Sequence, residues 1–364
     1  MRLGVVLMNL GGPTSEESVR TFLYNLFSDT DIIKLGGGKL QNLLATTISK
    51  FRAPKVAVSY KEINACPKGC TGNKYCQNRI NKEVSDCCSP INPLTEQQRK
   101  ALEKSLRSTL PGTFVKTYTA MRYWRPFADV IIEEMKDDGI THVVLLPLYP
   151  QFSWTTTGSS FRDWETQTKS QFGEEKPWRE YYIKNYHLNK TYLASLNQRI
   201  EESLADLDPQ IRKEIHLVFS AHGTPIAEVE SGDPYTKQIE ETVEAVMELR
   251  GRKEQYWLSY QSRVGPAKWT QPNTEAHIFR MLEYGIKHIL MIPVAFVTDH
   301  IETLMELKTE LPEAIEEKGL HIHTLKITKG LNDSELFINA LKEEVLQQVS
   351  HLISEQQHNE SLAE

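Results

Sequence analysis

The chain has 364 residues, of which 40% are hydrophobic and 25% are charged, and its formal net charge is −6 at pH 7. The length predicts two domains of ordinary size, and the composition is that of a globular protein able to bury cores. The acidic balance, without a basic stripe, argues against nucleic acid as the main partner, and no apolar run reaches the roughly 20 residues of a membrane-spanning helix.

The N-terminus predicts a buried strand and not a signal peptide. Its apolar run, residues 3–8, is short and leads directly into Gly11, Gly12 and Pro13 without a small-residue cleavage site. We therefore expect a cytoplasmic protein. Peripheral contact with the inner face of a membrane stays open.

Short runs rich in β-branched residues predict strands, and amphipathic stretches between them predict helices. The strands are predicted at residues 3–8, 115–120, 142–148, 215–220, 255–260, 288–294 and 321–327, and the helices at residues 95–108, 127–138, 192–205, 234–249 and 274–284. Continuous apolar strands that alternate with helices indicate parallel sheets covered on both faces. The predicted fold class is α/β.

The two halves of the chain echo each other. Residues 139–147 (GITHVVLLP) match residues 285–293 (GIKHILMIP), and residues 9–13 (NLGGP) parallel residues 221–225 (AHGTP). Two similar α/β domains explain this repeat. We predict an N-terminal domain over residues 1–155, a C-terminal domain over residues 156–330, and a C-terminal helix and tail over residues 331–364.

His222 follows a predicted strand, at the edge of the sheet where ligands collect in open α/β folds. Gly223 next to it permits close backbone packing. The side chain would either point into a ligand site or bond a local carbonyl group, and the sequence leaves both interpretations open.

Carboxylates follow the strand predicted at residues 288–294. A helix is predicted to begin near Thr298 or Asp299, both suited to cap it. Helical spacing then places Asp299, Glu302, Glu306 and Glu310 on one face, and Ile301, Leu304, Met305 and Leu311 on the other. An imidazole and carboxylates from neighbouring strand ends could bind a divalent metal such as Fe²⁺ or act as general bases. A merely solvated acidic face is the alternative.

Aromatic, hydroxyl and cationic side chains follow two strands of the first half. Arg122 and Tyr123 come after the strand at residues 115–120, and Tyr149 and Ser153 come after the strand at residues 142–148. This mixture suits a ligand with flat rings and carboxylates, and an aromatic loop packed under the sheet is the alternative. The glycine clusters lack the spacing of nucleotide-binding motifs.

Seven strand-end motifs together resemble the ferrochelatase family. They are LMNLGGP (7–13), AMRY (120–123), YPQFS (149–153) with TTGSS (156–160), FSAHGTP (219–225), GDPY (232–235), QSRVGP (261–266) and DHIETL (299–304). They occur in the family's order and cover essentially the whole chain.

The resemblance implies two Rossmann-like domains with a porphyrin cleft between them, and a lid over residues 21–51. The implied reaction is insertion of Fe²⁺ into protoporphyrin IX or coproporphyrin III to form heme, with release of two protons. Catalysis would map onto His222 and Glu302, and the metal site onto these two residues with Asp299 and Glu306. Porphyrin contacts would map onto Leu10, Arg122, Tyr123, Tyr149 and Ser153. Leu10 and the apolar lid favour protoporphyrin.

A cysteine-rich insert at residues 64–88 departs from the commoner family pattern. All five cysteines lie there, as Cys66, Cys70, Cys76, Cys87 and Cys88. Some ferrochelatases hold a [2Fe–2S] cluster, and four thiolates in a short polar segment can bind such a cluster or Zn²⁺. Disulfides are the alternative, disfavoured in a reducing cytosol.

Other functions stay open on the sequence alone. A cobalt or nickel chelatase of the same fold would share the histidine and the carboxylates. A non-catalytic, tetrapyrrole-binding redox sensor would use the insert but would need no basic and acidic pair. Contact with another enzyme of heme synthesis and the oligomeric state are likewise left open.

Overall fold

The structure is a computed structural model that describes residues 1–32, 38–62, 89–263 and 267–361. The chain forms two compact units. Unit 1 comprises Met1–Leu148, Trp154–Tyr186 and Asp333–Glu364, and unit 2 comprises Tyr149–Ser153 and His187–Asn332. Each unit contains one parallel sheet of four strands, which confirms the predicted α/β class.

Unit 1 is built on a sheet with strand order β2-β1-β3-β4. Its elements are β1 (Arg2–Asn9), α1 (Ser18–Ser28), α2 (Gly38–Glu62), α3 (Ile91–Thr109), β2 (Phe114–Met121), α4 (Ala128–Asp137), β3 (His142–Pro147), a π-helical turn (Trp154–Gly158), α5 (Ser159–Phe172) and β4 (Arg179–Tyr182). Val6 and Leu145 from the central strands pack with Ile132 of α4 and Trp164 of α5. Burial of the sheet explains why β1 and β3 are continuously apolar.

Unit 2 repeats this strand order as β6-β5-β7-β8, as the internal sequence repeat predicts. Its elements are α6 (Lys190–Ala205), α7 (Pro209–Glu214), β5 (His216–His222), α8 (Ile226–Glu230), α9 (Tyr235–Leu249), β6 (Gln255–Gln261), α10 (Thr274–Glu283), β7 (His288–Pro293), a π-helix (Glu302–Glu310), α11 (Leu311–Glu317) and β8 (Thr324–Ile327). Val218 and Met291 pack with Ile278 of α10 and with Leu307 and Leu311. The core therefore fixes the π-helix against the carboxyl end of β7.

The unit boundaries differ from the predicted domains. Unit 1 continues past residue 155 to Tyr186, because α5 packs on α4 and β4 pairs with β3. The last helix, α12 (Glu335–Ser361), also belongs to unit 1, where it packs against α3 and β3. None of the helices in the described part of the chain is both long and apolar enough to cross a membrane.

Candidate active site

Unit 2 brings His222, Glu302 and Glu306 together at the carboxyl ends of its strands. His222 ends β5 and pairs in register with Gln261, which ends β6. The π-helix that follows β7 supplies Glu302 and Glu306, one turn apart. These three side chains therefore share the edge of the sheet at which the strand-end argument expects ligands.

One nitrogen of the His222 ring is fixed by the backbone. Nδ1 lies 2.6 Å from the carbonyl oxygen of Gly223, so Nδ1 carries the hydrogen and donates it. The neutral ring then has its lone pair on Nε2, which lies 3.8 Å from Oε1 of Glu302. The structure shows the bond to a local carbonyl at Nδ1, and it directs Nε2 towards Glu302.

Glu302 lies between two imidazoles. Its Oε1 faces His222, and its Oε2 lies 3.5 Å from Nε2 of His300. Burial works to raise the pKa of Glu302, but the electrostatic and hydrogen-bonding interactions with His222 and His300 outweigh burial and lower the pKa. Glu302 is therefore ionised at neutral pH.

Glu306 is the second carboxylate of the site. Its Oε2 accepts a 2.7 Å hydrogen bond from Oγ of Ser262 and a 3.2 Å bond from Nε2 of Gln261. Burial and the negative charge of Glu302 raise the pKa of Glu306 to about 7. The pair therefore contains one firmly ionised carboxylate and one that exchanges its proton near neutral pH.

The donor set is nitrogen and oxygen, which suits Fe²⁺. In the part of the chain that the structure describes, no three His, Cys, Asp or Glu side chains are close enough together to hold a metal ion.

The segment after β7 differs from the α-helix predicted to begin near residue 298. The regular helix begins at Glu302, and it is a π-helix over nine residues, Glu302–Glu310. Thr303 Oγ1 accepts a 3.0 Å bond from the backbone N–H of His300, which holds the preceding turn. π-Helical segments are rare and occur frequently at functional sites. Of the expected apolar face, Met305 and Leu311 are buried, and Ile301 and Leu304 are half-buried.

Asp299 is directed to a different segment. Its Oδ1 accepts a 3.1 Å bond from the N–H of Gly330, and its Oδ2 accepts a 2.9 Å bond from Nδ2 of Asn332. The carboxylate thus clamps the loop after β8. Both of its carboxylate oxygens are therefore engaged by this loop.

In unit 1, Arg122 and Tyr123 share a carboxylate that sequence reasoning missed. Oδ2 of Asp29 accepts bonds from Nη2 of Arg122 (2.8 Å), the hydroxyl of Tyr123 (2.7 Å) and Oγ of Ser159 (2.9 Å). Tyr123 is only 1% exposed, and Leu10 beside it is half-buried. The backbone N–H of Tyr123 donates to the carbonyl of Leu10, at 2.9 Å.

Tyr149 and Ser153 belong to unit 2 and are both buried. Ser153 Oγ donates a 2.8 Å bond to Oδ2 of Asp233, in the GDPY motif. Tyr235 of the same motif donates its hydroxyl to the carbonyl of His222, at 3.1 Å. The motif therefore positions the strand end that carries His222. Sequence reasoning missed this role, because nothing local marks a tyrosine as a partner of a backbone carbonyl.

The cysteines of the insert, Cys66, Cys70, Cys76, Cys87 and Cys88, lie outside the described residues. The chain resumes at Ser89, which is buried and donates its N–H to the carbonyl of Pro13, at 3.0 Å. Ser89, the residue that follows the insert, is thus held beside the loop that follows β1.

Known proteins similar to this chain agree with one another. A family model described as Ferrochelatase matches residues 2–349. The chain is 38% identical over 346 residues to a ferrochelatase of Gloeobacter violaceus, covering 95% of this chain and 97% of that protein. It is 40% identical over 350 residues to a ferrochelatase of Geotalea uraniireducens, covering 96% and 98%. A solved structure of SirB from Bacillus subtilis with Fe³⁺ has a TM-score of 0.52 at 11% identity, covers 96% of each chain, and shows likeness of fold alone.

Proposed function

The chain belongs to the ferrochelatase family, and we propose that it carries out the family's reaction at the site formed by His222 and Glu302. It is a lyase of heme biosynthesis that inserts Fe²⁺ into a porphyrin. The observation that carries the assignment of residues is the 3.8 Å approach of His222 Nε2 to Glu302 Oε1. The approach supports a role for His222 as a base or metal ligand beside an ionised carboxylate.

The reaction exchanges two pyrrole protons for one metal ion. Two N–H bonds of the porphyrin break, the ring nitrogens bind Fe²⁺, two protons leave, and the iron keeps its oxidation state. Nε2 of His222 is available to accept a proton or to transfer iron to the porphyrin, because Nδ1 already donates its hydrogen to the carbonyl of Gly223. Glu302 offsets the positive charge that either role brings to the imidazole.

We propose different roles for the other two acidic residues of the site. Glu306 takes part in transfer of iron or protons, since its carboxyl group is next to Glu302 and its pKa is raised to about 7. Asp299 would ligate iron only after releasing Gly330 and Asn332, which both donate to it. Its contribution to the metal site is therefore indirect unless that loop opens.

The residues expected to contact the porphyrin fall into two groups according to their solvent exposure. We propose that Arg122 binds a porphyrin carboxylate, because its guanidinium is a cationic fork and its side chain is 21% exposed. Leu10, half-buried, would supply apolar contact. Tyr123, Tyr149 and Ser153 are buried, so we propose that they support porphyrin binding indirectly. An apolar wall at Leu10 favours protoporphyrin IX over the more highly charged coproporphyrin III.

We propose that the insert holds a [2Fe–2S] cluster through Cys66, Cys70, Cys76 and one of Cys87 or Cys88. The donor set supports this, since five thiols within residues 66–88 exceed the four that a cluster needs. Zn²⁺ bound by the same thiolates is the alternative. When bound, the cluster would give the segment a redox-active centre.

We propose that the enzyme works in the cytoplasm with helix α2 against the inner face of the membrane. Leu40, Leu43, Phe51 and Val58 of this helix are exposed. The helix also exposes Lys39, Lys50, Arg52 and Lys55, and residues 38–61 contain no acidic residue. An apolar and basic face suits anionic lipid. Co-sedimentation with vesicles of anionic lipid, but not with zwitterionic vesicles, tests this, and binding to neither would refute membrane contact.

The function is tested by anaerobic incubation of the protein with Fe²⁺ and either protoporphyrin IX or coproporphyrin III. Heme formation is followed by its absorption, in parallel with Co²⁺ and Ni²⁺. We expect turnover with Fe²⁺ and faster turnover of protoporphyrin. Turnover with cobalt or nickel but not iron would identify a different chelatase, and binding of porphyrin without turnover with any metal would identify a carrier or sensor.

A further inference from the structure

Two consecutive residues at the end of β6 hold the same atom of Glu306. Gln261 Nε2 and Ser262 Oγ both donate to Oε2, at 3.2 and 2.7 Å. Gln261 Nε2 also donates to the backbone carbonyl of Glu302, at 3.2 Å. The end of β6 is therefore hydrogen-bonded to the π-helix at the side chain of Glu306 and at the backbone of Glu302.

The orientation of the Gln261 amide is determined by its neighbours. Ser220 Oγ donates to Oε1 of Gln261 at 2.6 Å, which turns the amide nitrogen towards Glu306. Ser220 is buried and lies two residues before His222 on β5. The strand that carries the histidine thus also orients the amide that holds the second carboxylate. With the amide reversed, its oxygen would meet Glu306 and repel it.

Ser262 holds Glu306 from a conformation that side chains rarely adopt. Its φ is +65°, in the left-handed region that favours glycine. Such strain at a non-glycine residue persists where surrounding contacts compensate for it, and it clusters at functional sites. Glycine would relieve the backbone but would remove the hydroxyl group that contacts Glu306. The serine is therefore explained by its hydrogen bond and not by the turn.

The two donors leave the other oxygen of Glu306 unengaged. In the described part of the chain, no hydrogen-bond donor meets Oε1, while Oε2 accepts both bonds. We propose that Gln261 and Ser262 are positioning residues for iron, which anchor Glu306 by Oε2 so that Oε1 stays available to Fe²⁺ on its way to Glu302 and His222. This inference rests on the proposed function of the site.

The test uses Ser262→Gly and Gln261→Glu in the full-length protein. Ser262→Gly removes the hydroxyl donor without backbone strain, and Gln261→Glu keeps the acceptor for Ser220 but places a carboxyl oxygen against Glu306. Loss of a hydrogen bond to a charged group should raise the KM for Fe²⁺ roughly tenfold in each variant. The KM for porphyrin should change by less than about twofold, since the change removes contacts to one substrate only.

Two comparisons separate positioning from a merely structural role. In a Glu306→Gln background, adding Gln261→Glu should not raise the KM for iron further, because the positioned group is already absent. Ser262→Asn, which tolerates the left-handed region and brings an amide donor, should recover part of the affinity. Arg252→Gly is the matched control, because Arg252 is exposed, has φ +51° and contacts Glu244 and Tyr256 away from the site.

The possible outcomes distinguish the inference from the function it rests on. A wild-type protein that makes no heme would refute the proposed function. If the wild-type protein is active and both variants keep its KM for iron, the positioning role is refuted and the function stands. The positioning role would also be refuted if the KM values for iron and porphyrin rose equally, or if the effects of Gln261→Glu and Glu306→Gln on the KM for iron were additive. Gln261 and Ser262 would then have only a structural role in holding the π-helix to β6.

Discussion

Nε2 of His222 lies 3.8 Å from Oε1 of Glu302, while Nδ1 of the same ring is held by the carbonyl of Gly223. The backbone contact selects the tautomer, and the carboxylate stabilises any positive charge that Nε2 acquires. A proton or a metal ion accepted at Nε2 would therefore lie directly between the ring and the carboxylate.

Replacing His222 by alanine should reduce kcat for iron insertion by at least about 10²-fold, the usual contribution of a positioned base. Porphyrin binding, measured by quenching of tryptophan fluorescence, should remain detectable, because the substitution removes a nitrogen donor and not the apolar contacts. His216→Ala, at the opposite end of β5, is the control. Near-normal turnover of the His222 variant would end its assignment as the catalytic residue.

Replacing Glu302 by glutamine should also impair insertion severely, because the side chain keeps its shape and loses the charge that faces His222 and His300. Glu310→Gln is the matched control, since Glu310 lies on the same π-helix and is exposed. The measurement is initial heme formation under anaerobic conditions. Equal activity of the two variants would show that charge on this helix, and not the position of Glu302, is what the reaction needs.

The free energy of unfolding of the metal-free protein should depend on pH through the titration of Glu306. Its pKa is raised from the ordinary 4.5 to about 7, so the folded state binds more protons than the unfolded state between these values. The stabilisation is fully present below pH 4.5 and is lost as pH rises through about 7. As pH rises over that range, the unfolding free energy of the Glu306→Gln variant should increase by roughly 1–3 kcal/mol relative to that of the wild-type protein. Denaturant titrations at several pH values check this, and a constant difference between the two proteins would contradict it.

Much of the fold was predictable because strand burial leaves a strong local signal. All seven predicted strands exist, since residues such as Val6 and Val218 belong to sheets covered on both faces. β4 was missed because its four residues, Arg179–Tyr182, lie at a sheet edge and are only partly buried. An edge strand needs no continuous apolar run.

The site was predictable only in part, because its members are joined by tertiary contacts. His222 and Glu302 were placed by their positions after strands, together with the resemblance to a family. The π-helix was predicted as an α-helix, since the two share apolar spacing over short segments and differ in hydrogen bonding. Gln261 and Asp29 carry no local signal, and their roles come from the groups that they contact, Glu306 and Arg122.

Asp29 should be a major contributor to the stability of unit 1. Its Oδ2 accepts three hydrogen bonds, and its side chain is 5% exposed, so Asp29→Asn would leave Arg122 without its buried counter-ion. The loss should be about 2–4 kcal/mol in unfolding free energy. Asp31→Asn, which breaks a more exposed ion pair with Arg162, should cost less than about 1 kcal/mol. Similar costs for both variants would show that the Asp29 network is not a stabilising one.

The cysteine insert is expected to hold a coloured metal centre. Protein purified without oxygen should be coloured before any porphyrin is added, with iron and acid-labile sulfide in near-equal amounts. The five thiols between Cys66 and Cys88 lie among turn-forming and cationic residues, such as Pro67, Gly69 and Lys74, that provide no apolar core. Order in such a segment depends on cross-linking by a metal centre or by disulfides, so binding and local folding should be coupled.

Cys70→Ser should bleach this colour, because it removes one of the four thiolates, while iron insertion by the site in unit 2 should persist to the extent that the protein stays folded. The insert lies in the connection between α2 and α3, and it does not interrupt a strand end that carries a catalytic residue. We therefore expect its role to be structural or regulatory. Lys68, Lys74 and Arg79 should favour thiolates and offset the negative charge of the centre. A colourless, sulfide-free protein with one zinc ion per chain would replace the cluster by a zinc site. Colourless protein with fewer than two free thiols would favour disulfides and would place the segment outside metal chemistry.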